Sequence, residues 1–438
     1  MKIKFSKNSI LSLGLDLLIW LISLALFFLD NTYLSEKSFF YGIVLVVSSS
    51  LLLWKYRNDK LYIVAFGVLL YINLSIFAAD ILASGKLTLP AESLAWQVFR
   101  RSPYEIKFLK ALTFFVSTLN LFLRPQQKLF QDNLRDKVEN RDNFFAFLFG
   151  VVLLMYSLIT GYSTTVGASY LSQTSVIYEY ALLFFLLTWY YAGNSKFRHL
   201  FLQMYAIIYV FQAIFYGDRS SAFPMVVLLV VLYMRRIPLW KIILFTLLGI
   251  MAANVISVYR ISYSLQNFLE NYFGRYELFN FASDTVSMSY YTGISLIAVR
   301  DMIRDTTQYF DDFLIGIFLG GGYGHADIVQ LAKQFTTNKG GGTIVGNFVF
   351  WFEKFGIATL SIIVSLIINK IGNAKSDIER VWKIYITIMV FRWYLYTSFV
   401  FFRSICVVFP IAFLVFDIID SVSSGRKYTF TKSFKERE

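Results

Sequence analysis

The stretch SILSLGLDLLIWLISLALFFL, residues 9–29, decides the fold class of this chain. It is an almost unbroken apolar run of about 20 residues, the length that an α-helix needs to cross the hydrocarbon core of a bilayer. Similar runs recur as FFAFLFGVVLLMYSLITGY at 144–162 and LWKIILFTLLGIMAANVISV at 239–258. The 438 residues are 57% hydrophobic and only 16% charged, whereas soluble domains carry about 25% charged residues. The sequence therefore predicts an all-α polytopic integral membrane protein.

Hydropathy and loop charge together predict the topology, with about 12 transmembrane helices. The predicted span centres lie near residues 19, 46, 71, 116, 153, 184, 206, 227, 249, 360, 391 and 412, and the span near 116 is the least apolar. If the N-terminus is inside, then the N-terminal segment, the loops on that side and the tail at 426–438 contain about 25 of the 41 lysines and arginines. Both termini are therefore predicted to be cytoplasmic. The first run follows MKIKFSKN without a small-residue cleavage site, so we expect a retained span rather than a removed signal peptide.

The net charge of +13 and the cysteine count exclude several classes of function. In a membrane protein, cationic loops orient the spans and contact anionic lipid, so no nucleic-acid partner is expected. The single cysteine, Cys406, allows no intramolecular disulfide. The two histidines, His199 and His325, fall on opposite predicted faces of the membrane and cannot share a metal ion, so neither a metal nor a cofactor is expected.

Residues 1–438 are expected to form a single transmembrane domain with one large outer loop at 259–343. Loops of this length in compact proteins are usually functional or disordered. Apolar residues from Leu265 to Tyr276 recur at helical spacing, and a second helix is predicted to start at Ser283 or Asp284 and to end near AVRDMIRD. Ordered helices in an outer loop indicate a built cavity rather than a tether.

The loop contains LGGGYGHAD at 319–327, which places His325 beside the glycines Gly320, Gly321, Gly322 and Gly324. Glycine lets the backbone approach a ligand closely, and imidazole can accept a proton from a hydroxyl near neutral pH. We therefore treat His325 as a candidate general base that Asp327 could orient or replace. The alternative is a glycine hinge with an incidental exposed histidine. The stretch lacks the Lys-Ser/Thr of a nucleotide-binding loop.

Four arginines lie at or near the outer ends of predicted spans: Arg219, Arg260, Arg392 and Arg403. Arginine near a span is costly and usually has a partner, so interface snorkelling or structural pairing is one interpretation. The other interpretation is a phosphate site, because guanidinium binds phosphate oxygens through two parallel hydrogen bonds. The intramembrane carboxylate Asp16 is expected to pair with Arg392.

A second glycine run leads into NKGGGTIVGNFVFWFEKFGIATLSII at 338–363, where Glu353 lies near the outer end of the tenth span. A carboxylate in this position can orient a base or bind sugar hydroxyls. The structural alternative is an ion pair with its neighbour Lys354.

Together, these features resemble the Wzy-type O-antigen and oligosaccharide repeat-unit polymerases. The resemblance rests on GDRSSAFPMVVLLVVLYMRR (217–236), the large outer loop, LGGGYGHADIV (319–329) and GNFVFWFEKFGIATLSIIVSLII (346–368). The last segment is similar to the family's entry into a late span, but Ala358 and Thr359 follow Phe355-Gly356-Ile357 where the family has a second glycine. The architecture covers most of the chain, and the motifs cover about a sixth of it.

The resemblance implies a bacterial inner-membrane enzyme with a periplasmic loop at 259–343. Its substrate would be undecaprenyl-pyrophosphate-linked oligosaccharide, and its partners would be membrane lipid and a separate chain-length regulator protein. The growing glycan would move from its carrier to a hydroxyl of the incoming unit, without ATP or metal. Arg219, Arg260, Arg403 and Arg392 would then bind pyrophosphate, and His325, with Asp327 or Glu353 as alternatives, would accept the proton.

Two other functions remain open on the sequence. An O-antigen ligase would have the same topology and lipid donor but would transfer the glycan to lipid A core. A polysaccharide flippase or transporter would alternate access around charged residues near the membrane midplane and would not need a large outer loop. The asymmetric loop favours an enzyme that works at one face.

Overall fold

A computed structural model gives the protein as a bundle of helices. It describes residues 7–28, 35–83, 99–100, 102–124, 134, 136–161, 175–234, 236–262, 266, 269–270, 284–338 and 340–425. No β-strand occurs in these ranges, where only an isolated bridge joins Asp142 and Ala192. The predicted amphipathic helix at 265–276 lies almost entirely outside the described residues, as does Ser283.

The helices before the predicted long loop form the first part of the bundle. They are α1 (Lys7–Phe28), α2 (Ser35–Lys55), α3 (Lys60–Ser75) with its π-helical extension π1 (Ile76–Leu82), α4 (Pro103–Phe122), α5 (Phe144–Thr160), α6 (Val176–Glu179), α7 (Ala181–Tyr190), α8 (Lys196–Phe215), α9 (Arg219–Tyr233) and α10 (Leu239–Ser262).

The later helices include those of the predicted loop itself. They are α11 (Asp284–Met302), α12 (Gln308–Leu319), α13 (Ile328–Ala332), α14 (Thr343–Gly372), α15 (Asp377–Ile388), α16 (Val390–Leu395), α17 (Ser398–Phe401), the π-helical π2 (Phe402–Val408) and α18 (Phe409–Ser423). The second loop helix predicted from the sequence is confirmed as α11.

The helices confirm the predicted class. In the described part of the chain, five helical stretches are long and apolar enough to cross a membrane: Ser38–Lys55, Lys60–Leu82, Lys196–Phe215, Thr343–Gly372 and Ser398–Ser423. Shorter apolar helices lie among them, and each predicted span centre falls inside a helix. The protein is therefore an all-α membrane protein, while the count of 12 spans and the orientation stay predictions.

Helix α4, the least apolar of the predicted spans, lies at the centre of the bundle. It packs against α1, α2, α11 and α14. Its buried polar side chains include Thr113, Ser117 and Asn120, and Asn120 donates a hydrogen bond to the Ser48 carbonyl oxygen at 2.6 Å. Buried polar groups need such partners. The low hydropathy of α4 therefore reflects contact with other helices rather than with lipid.

Helix α11 is buried along most of its length rather than exposed in an external loop. It crosses α14 where Gly293 meets Gly346, and a Cβ at Gly293 would lie 2.3 Å from the ring of Phe108 on α4. Along its path, the Ser287 hydroxyl donates to Asp80 of π1 at 2.9 Å. The Tyr290 hydroxyl donates to Glu105 of α4 at 3.1 Å. The predicted loop therefore contributes a core helix, which is hydrogen-bonded both to the π-helical extension of α3 and to the start of α4.

Two ion pairs differ from those predicted. Asp16 is buried and pairs with Lys55 of α2 at 2.8 Å, so the prediction of an Asp16–Arg392 pair is wrong. Glu353 pairs with Arg300 of α11, while Lys354 lies over the rings of Phe27 and Phe28, so the Glu353–Lys354 pair is also wrong. Consecutive helical residues point in different directions, and Glu353 itself breaks α14 with φ 49° and ψ −126°.

Candidate functional site

The glycine-rich loop begins where α12 ends at Gly320. This residue has φ 123° and ψ 160°, a conformation that is essentially restricted to glycine. A Cβ at Gly320 would also lie 2.9 Å from Nη1 of Arg403. The loop can therefore pass this close to a guanidinium only with glycine here.

Asp312 of α12 fixes the other end of the loop. Its Oδ2 accepts a hydrogen bond from the backbone N–H of His325 at 2.9 Å. Gly324 has φ 49°, and a Cβ there would lie 2.7 Å from the same carboxylate oxygen. No pattern in the sequence indicates this role for Asp312, because its contact with Gly324 and His325 depends on how the loop folds back on α12.

The four glycines of the loop are not equivalent, which gives a matched pair of variants. Gly324→Ala is expected to weaken the contact with Asp312, because alanine at positive φ costs about 1–2 kcal/mol and its Cβ meets the carboxylate. Amide exchange at His325 should then be about 5- to 30-fold faster. Gly322 has no atom within 4 Å of an added Cβ, so Gly322→Ala should leave exchange unchanged. Equal exchange rates in both variants, measured by mass spectrometry, would rule out this account of the loop.

His325 is exposed at the tip of the loop. Its ring packs edge-to-face on Tyr309, with ring centroids 5.4 Å apart. The ring of Tyr309 in turn packs near Phe350 of α14, with ring centroids 6.3 Å apart. Among the described residues, neither ring nitrogen has a hydrogen-bond partner, so both are free to meet a ligand. In the other histidine, His199, the ring nitrogen Nε2 lies 2.9 Å from the Gly193 carbonyl oxygen.

Asp327 does not orient the His325 ring. Its carboxylate instead caps α13 by accepting the backbone N–H of Val329 at 3.0 Å. Burial raises the pKa of Asp327 above its usual value, and the N–H groups of Val329 and Gln330 and the nearby Lys333 lower it by less. Because the folded pKa exceeds the unfolded one, the stability from this group is greatest at acid pH. It is lost as pH rises through the folded pKa.

This assignment predicts opposite effects of two substitutions at Asp327. Asp327→Asn keeps the cap and removes the buried charge, so at pH 7 it should be at least as stable as the wild type. That advantage should shrink towards pH 4, where the wild-type carboxyl gains a proton. Asp327→Ala should lose about 1 kcal/mol through loss of the cap. Thermal unfolding in detergent measures all three proteins, and a less stable Asn variant at pH 7 would contradict the assignment.

Arg403 lies in the π-helical turn π2, a type of turn that is frequent at functional sites. Its Nη1 donates weakly to the Gly316 carbonyl oxygen at 3.5 Å, and its guanidinium lies 5.4 Å from the ring centroid of Phe399. Its Nε is buried without a hydrogen-bond partner, and no carboxylate of the described chain pairs with Arg403. A cation with an unused donor is suited to hold an anion.

Arg392 and Arg403 share an electrostatic neighbour, Tyr180 at the start of α7. The Nη1 of Arg392 donates to the Glu179 carbonyl oxygen at 3.2 Å. The hydroxyl of Tyr180, the next residue, interacts electrostatically with both arginines. Arg392 also interacts electrostatically with Asp218, which caps α9. Both arginines therefore lie within electrostatic range of Tyr180.

Arg219 and Arg260 complete the predicted set of arginines. Arg219 is buried at the start of α9, where its Nη2 donates to Thr285 of α11 at 2.7 Å. Because Arg219 follows Asp218, it belongs to the same end of the bundle as Arg392. Arg260 lies on α10, and its side chain lies outside the described residues.

Glu353 lies on the kink of α14 with an exposed carboxylate held by Arg300. A positive φ is costly for a residue other than glycine, and such conformations cluster at functional sites. Arg300 also has a buried Nε without a hydrogen-bond partner. The pair is suited to hydrogen bonding with hydroxyl groups, and Arg300 was not among the residues singled out from the sequence.

An apolar groove of about 730 Å³ lies between the ends of α5, α8 and α10 that are nearest to these arginines. Its lining residues include Leu158, Phe211, Phe215, Ile256 and Tyr259. At one end it reaches Tyr216, which precedes Gly217 and Asp218 in the chain. Ligand sites typically enclose about 300–1,000 Å³ and are mostly apolar with few polar groups. The groove is therefore large enough to hold part of a hydrocarbon chain.

No group of three or more His, Cys, Asp and Glu side chains in the described part of the chain could hold a metal ion. Comparisons of the chain with family models, with curated proteins and with solved structures found no match.

Proposed function

We propose that the protein joins lipid-linked repeat units of O-antigen or a related surface polysaccharide at the periplasmic face of a bacterial inner membrane. The observation that carries the proposal is that Arg403 lies against Gly320, at the start of the loop that bears His325, and that Tyr180 interacts electrostatically with both Arg403 and Arg392. Cations, an exposed base and an apolar groove thus lie at one end of the bundle, as a lipid pyrophosphate donor requires.

The donor would bind in two parts. The groove between α5, α8 and α10 takes part of the polyprenyl chain, since its lining is apolar. The pyrophosphate binds to Arg392 and Arg403, with Arg219 behind them, because guanidinium groups form paired hydrogen bonds with phosphate oxygens. Arg403 has no carboxylate partner in the described chain, so its charge is available to the pyrophosphate.

The transfer exchanges one C–O bond for another. The anomeric carbon of the donor glycan loses its bond to the pyrophosphate oxygen, which leaves with the bonding electron pair. The acceptor hydroxyl oxygen forms the new bond, and its proton passes to a ring nitrogen of His325 and then to solvent. Arg392 and Arg403 stabilise the negative charge that develops on the leaving group, which is the largest contribution in many enzymes. The reaction needs neither ATP nor a metal.

The surrounding residues would position the acceptor. Glu353, held by Arg300, accepts hydrogen bonds from acceptor sugar hydroxyls rather than acting as the base. The glycine loop lets His325 approach a bulky glycan. The Asp312 carboxylate fixes the loop by accepting the hydrogen bond from the backbone N–H of His325. Asp327 contributes only through the cap on α13.

The alternative functions differ in acceptor or in class. An O-antigen ligase would use the same donor site, and only the acceptor separates it from a polymerase. A flippase or transporter requires charged groups that exchange partners near the membrane midplane. The clearest candidate for that role, Asp16, is already paired with Lys55. This pairing favours the enzyme.

The proposal is tested by deleting the gene and examining surface lipopolysaccharide on gels beside the complemented strain. A ladder reduced to core plus a single repeat unit supports the polymerase. Core alone, with polymer accumulating on the carrier lipid, indicates a ligase. Core alone, with single units trapped at the cytoplasmic face, indicates a flippase. An unchanged ladder, with other surface glycans also unchanged, would exclude all three functions.

A further inference from the structure

Helix α12 has one buried face and one exposed apolar face. Phe313, Gly316 and Ile317 are buried, and Phe313 packs on Trp351 of α14 with ring centroids 4.5 Å apart. The opposite face is exposed although it is apolar, and it comprises Leu314, Ile315, Phe318 and Leu319. Phe318 and Leu319 are 70% and 69% exposed. Soluble surfaces rarely present such contiguous apolar side chains, which usually mark a contact with protein or membrane.

The polarity of α12 changes along its length. The exposed residues at its start are acidic or polar, namely Asp305, Gln308 and Asp311. The hydroxyl and N–H of Thr307 keep the pKa of Asp305 below its usual value, so this carboxylate stays ionised in water. Acidic groups also interact favourably with a helix N-terminus. The start of α12 is therefore suited to water and its end to hydrocarbon.

The chain after α12 fits a membrane interface. Tyr323 is exposed within the glycine loop, and tyrosine is enriched at the headgroup level. Arg403, which is distant in sequence, lies against Gly320 at the end of α12. Its long side chain can reach lipid phosphates. An apolar helix end, a tyrosine and an arginine thus lie near one another, as at other protein–lipid boundaries.

We propose that the C-terminal half of α12 inserts into the adjacent membrane leaflet, with Phe318 and Leu319 among the acyl chains and the loop 320–325 at the headgroup level. The partner of this surface is the lipid bilayer itself. Interfacial helices with one apolar face bind membranes in this manner. The insertion follows from the exposed surface alone and does not depend on the proposed enzymatic function. It would hold His325 at the depth where the headgroup of any lipid-linked molecule lies.

Two spin-labelled variants in the Cys406→Ser background test the insertion. Asp311→Cys and Phe318→Cys lie two turns apart on the same face, about 10 Å along the helix axis. Both native side chains are exposed, so neither label enters the core. Each protein is reconstituted in phosphatidylethanolamine and phosphatidylglycerol vesicles. Collisions of the label with oxygen, which concentrates in lipid, and with a water-soluble nickel chelate are then measured.

The expected result is an oxygen-to-nickel collision ratio several-fold higher at position 318 than at position 311. A ratio at 318 as low as that at 311 would place the helix end in water and overturn the proposal. Low collision rates with both reagents at 318 would mean that protein covers the face, which would also overturn it.

Discussion

Arg403→Ala is expected to slow glycan transfer by about 100- to 1,000-fold, the usual cost of removing one group that stabilises charge in a transition state. The guanidinium lies against Gly320 and carries a buried Nε without a partner. It donates a weak hydrogen bond to the Gly316 carbonyl oxygen and lies over the ring of Phe399. Because it has no carboxylate partner in the described chain, its removal leaves no unpaired buried charge. The variant should therefore fold normally and lose activity.

Arg57 provides the matched control. It also lies over an aromatic ring, Trp54, at 4.1 Å and donates to a backbone carbonyl oxygen, but it belongs to the opposite end of the bundle. Arg57→Ala should leave the surface polysaccharide ladder unchanged. Arg403→Lys keeps the charge without the paired donors and should give an intermediate rate. A normal ladder in the Arg403→Ala strain, at normal protein level, would remove Arg403 from the site.

His325→Ala is expected to reduce transfer by about 100- to 10,000-fold, the range typical of a lost general base. The ring nitrogens have no hydrogen-bond partner in the described chain, and the ring contact is with Tyr309, so the loss of stability should be small.

His199→Ala controls for the loss of a histidine as such, since His199 lies near the Gly193 carbonyl oxygen at the opposite end of the bundle. It should not change the rate. A wild-type rate in His325→Ala, at normal protein level, would assign the base to another residue.

The helices were predictable because each apolar run is a local property of the sequence. Within the described residues, the predicted runs 9–29 and 144–162 form α1 as far as Phe28 and α5 as far as Thr160, and α11 begins at Asp284 as predicted. The burial of α11 was not predictable. It depends on Asp80, Glu105 and the close approach at Gly293, which come from distant parts of the chain.

The polar contacts were harder to predict than the helices. A neighbour in sequence, Lys354, was an obvious partner for Glu353, but the break in α14 turns the carboxylate towards Arg300. Asp327 is close to His325 in sequence, yet its carboxylate caps the N-terminus of the short helix α13. Asp312, thirteen residues away, holds the loop instead. The composition of the candidate site was thus partly predictable, whereas its contacts depend on the tertiary fold.

The most direct test of the proposed function is reconstitution of the purified protein in proteoliposomes with lipid-linked repeat units extracted from the deletion strain. We predict that carrier-linked dimers and longer oligomers form without ATP, and that Arg403→Ala and His325→Ala proteins form far less product. If the wild-type protein leaves the units unjoined even when they are accessible at both faces, the polymerase proposal is wrong.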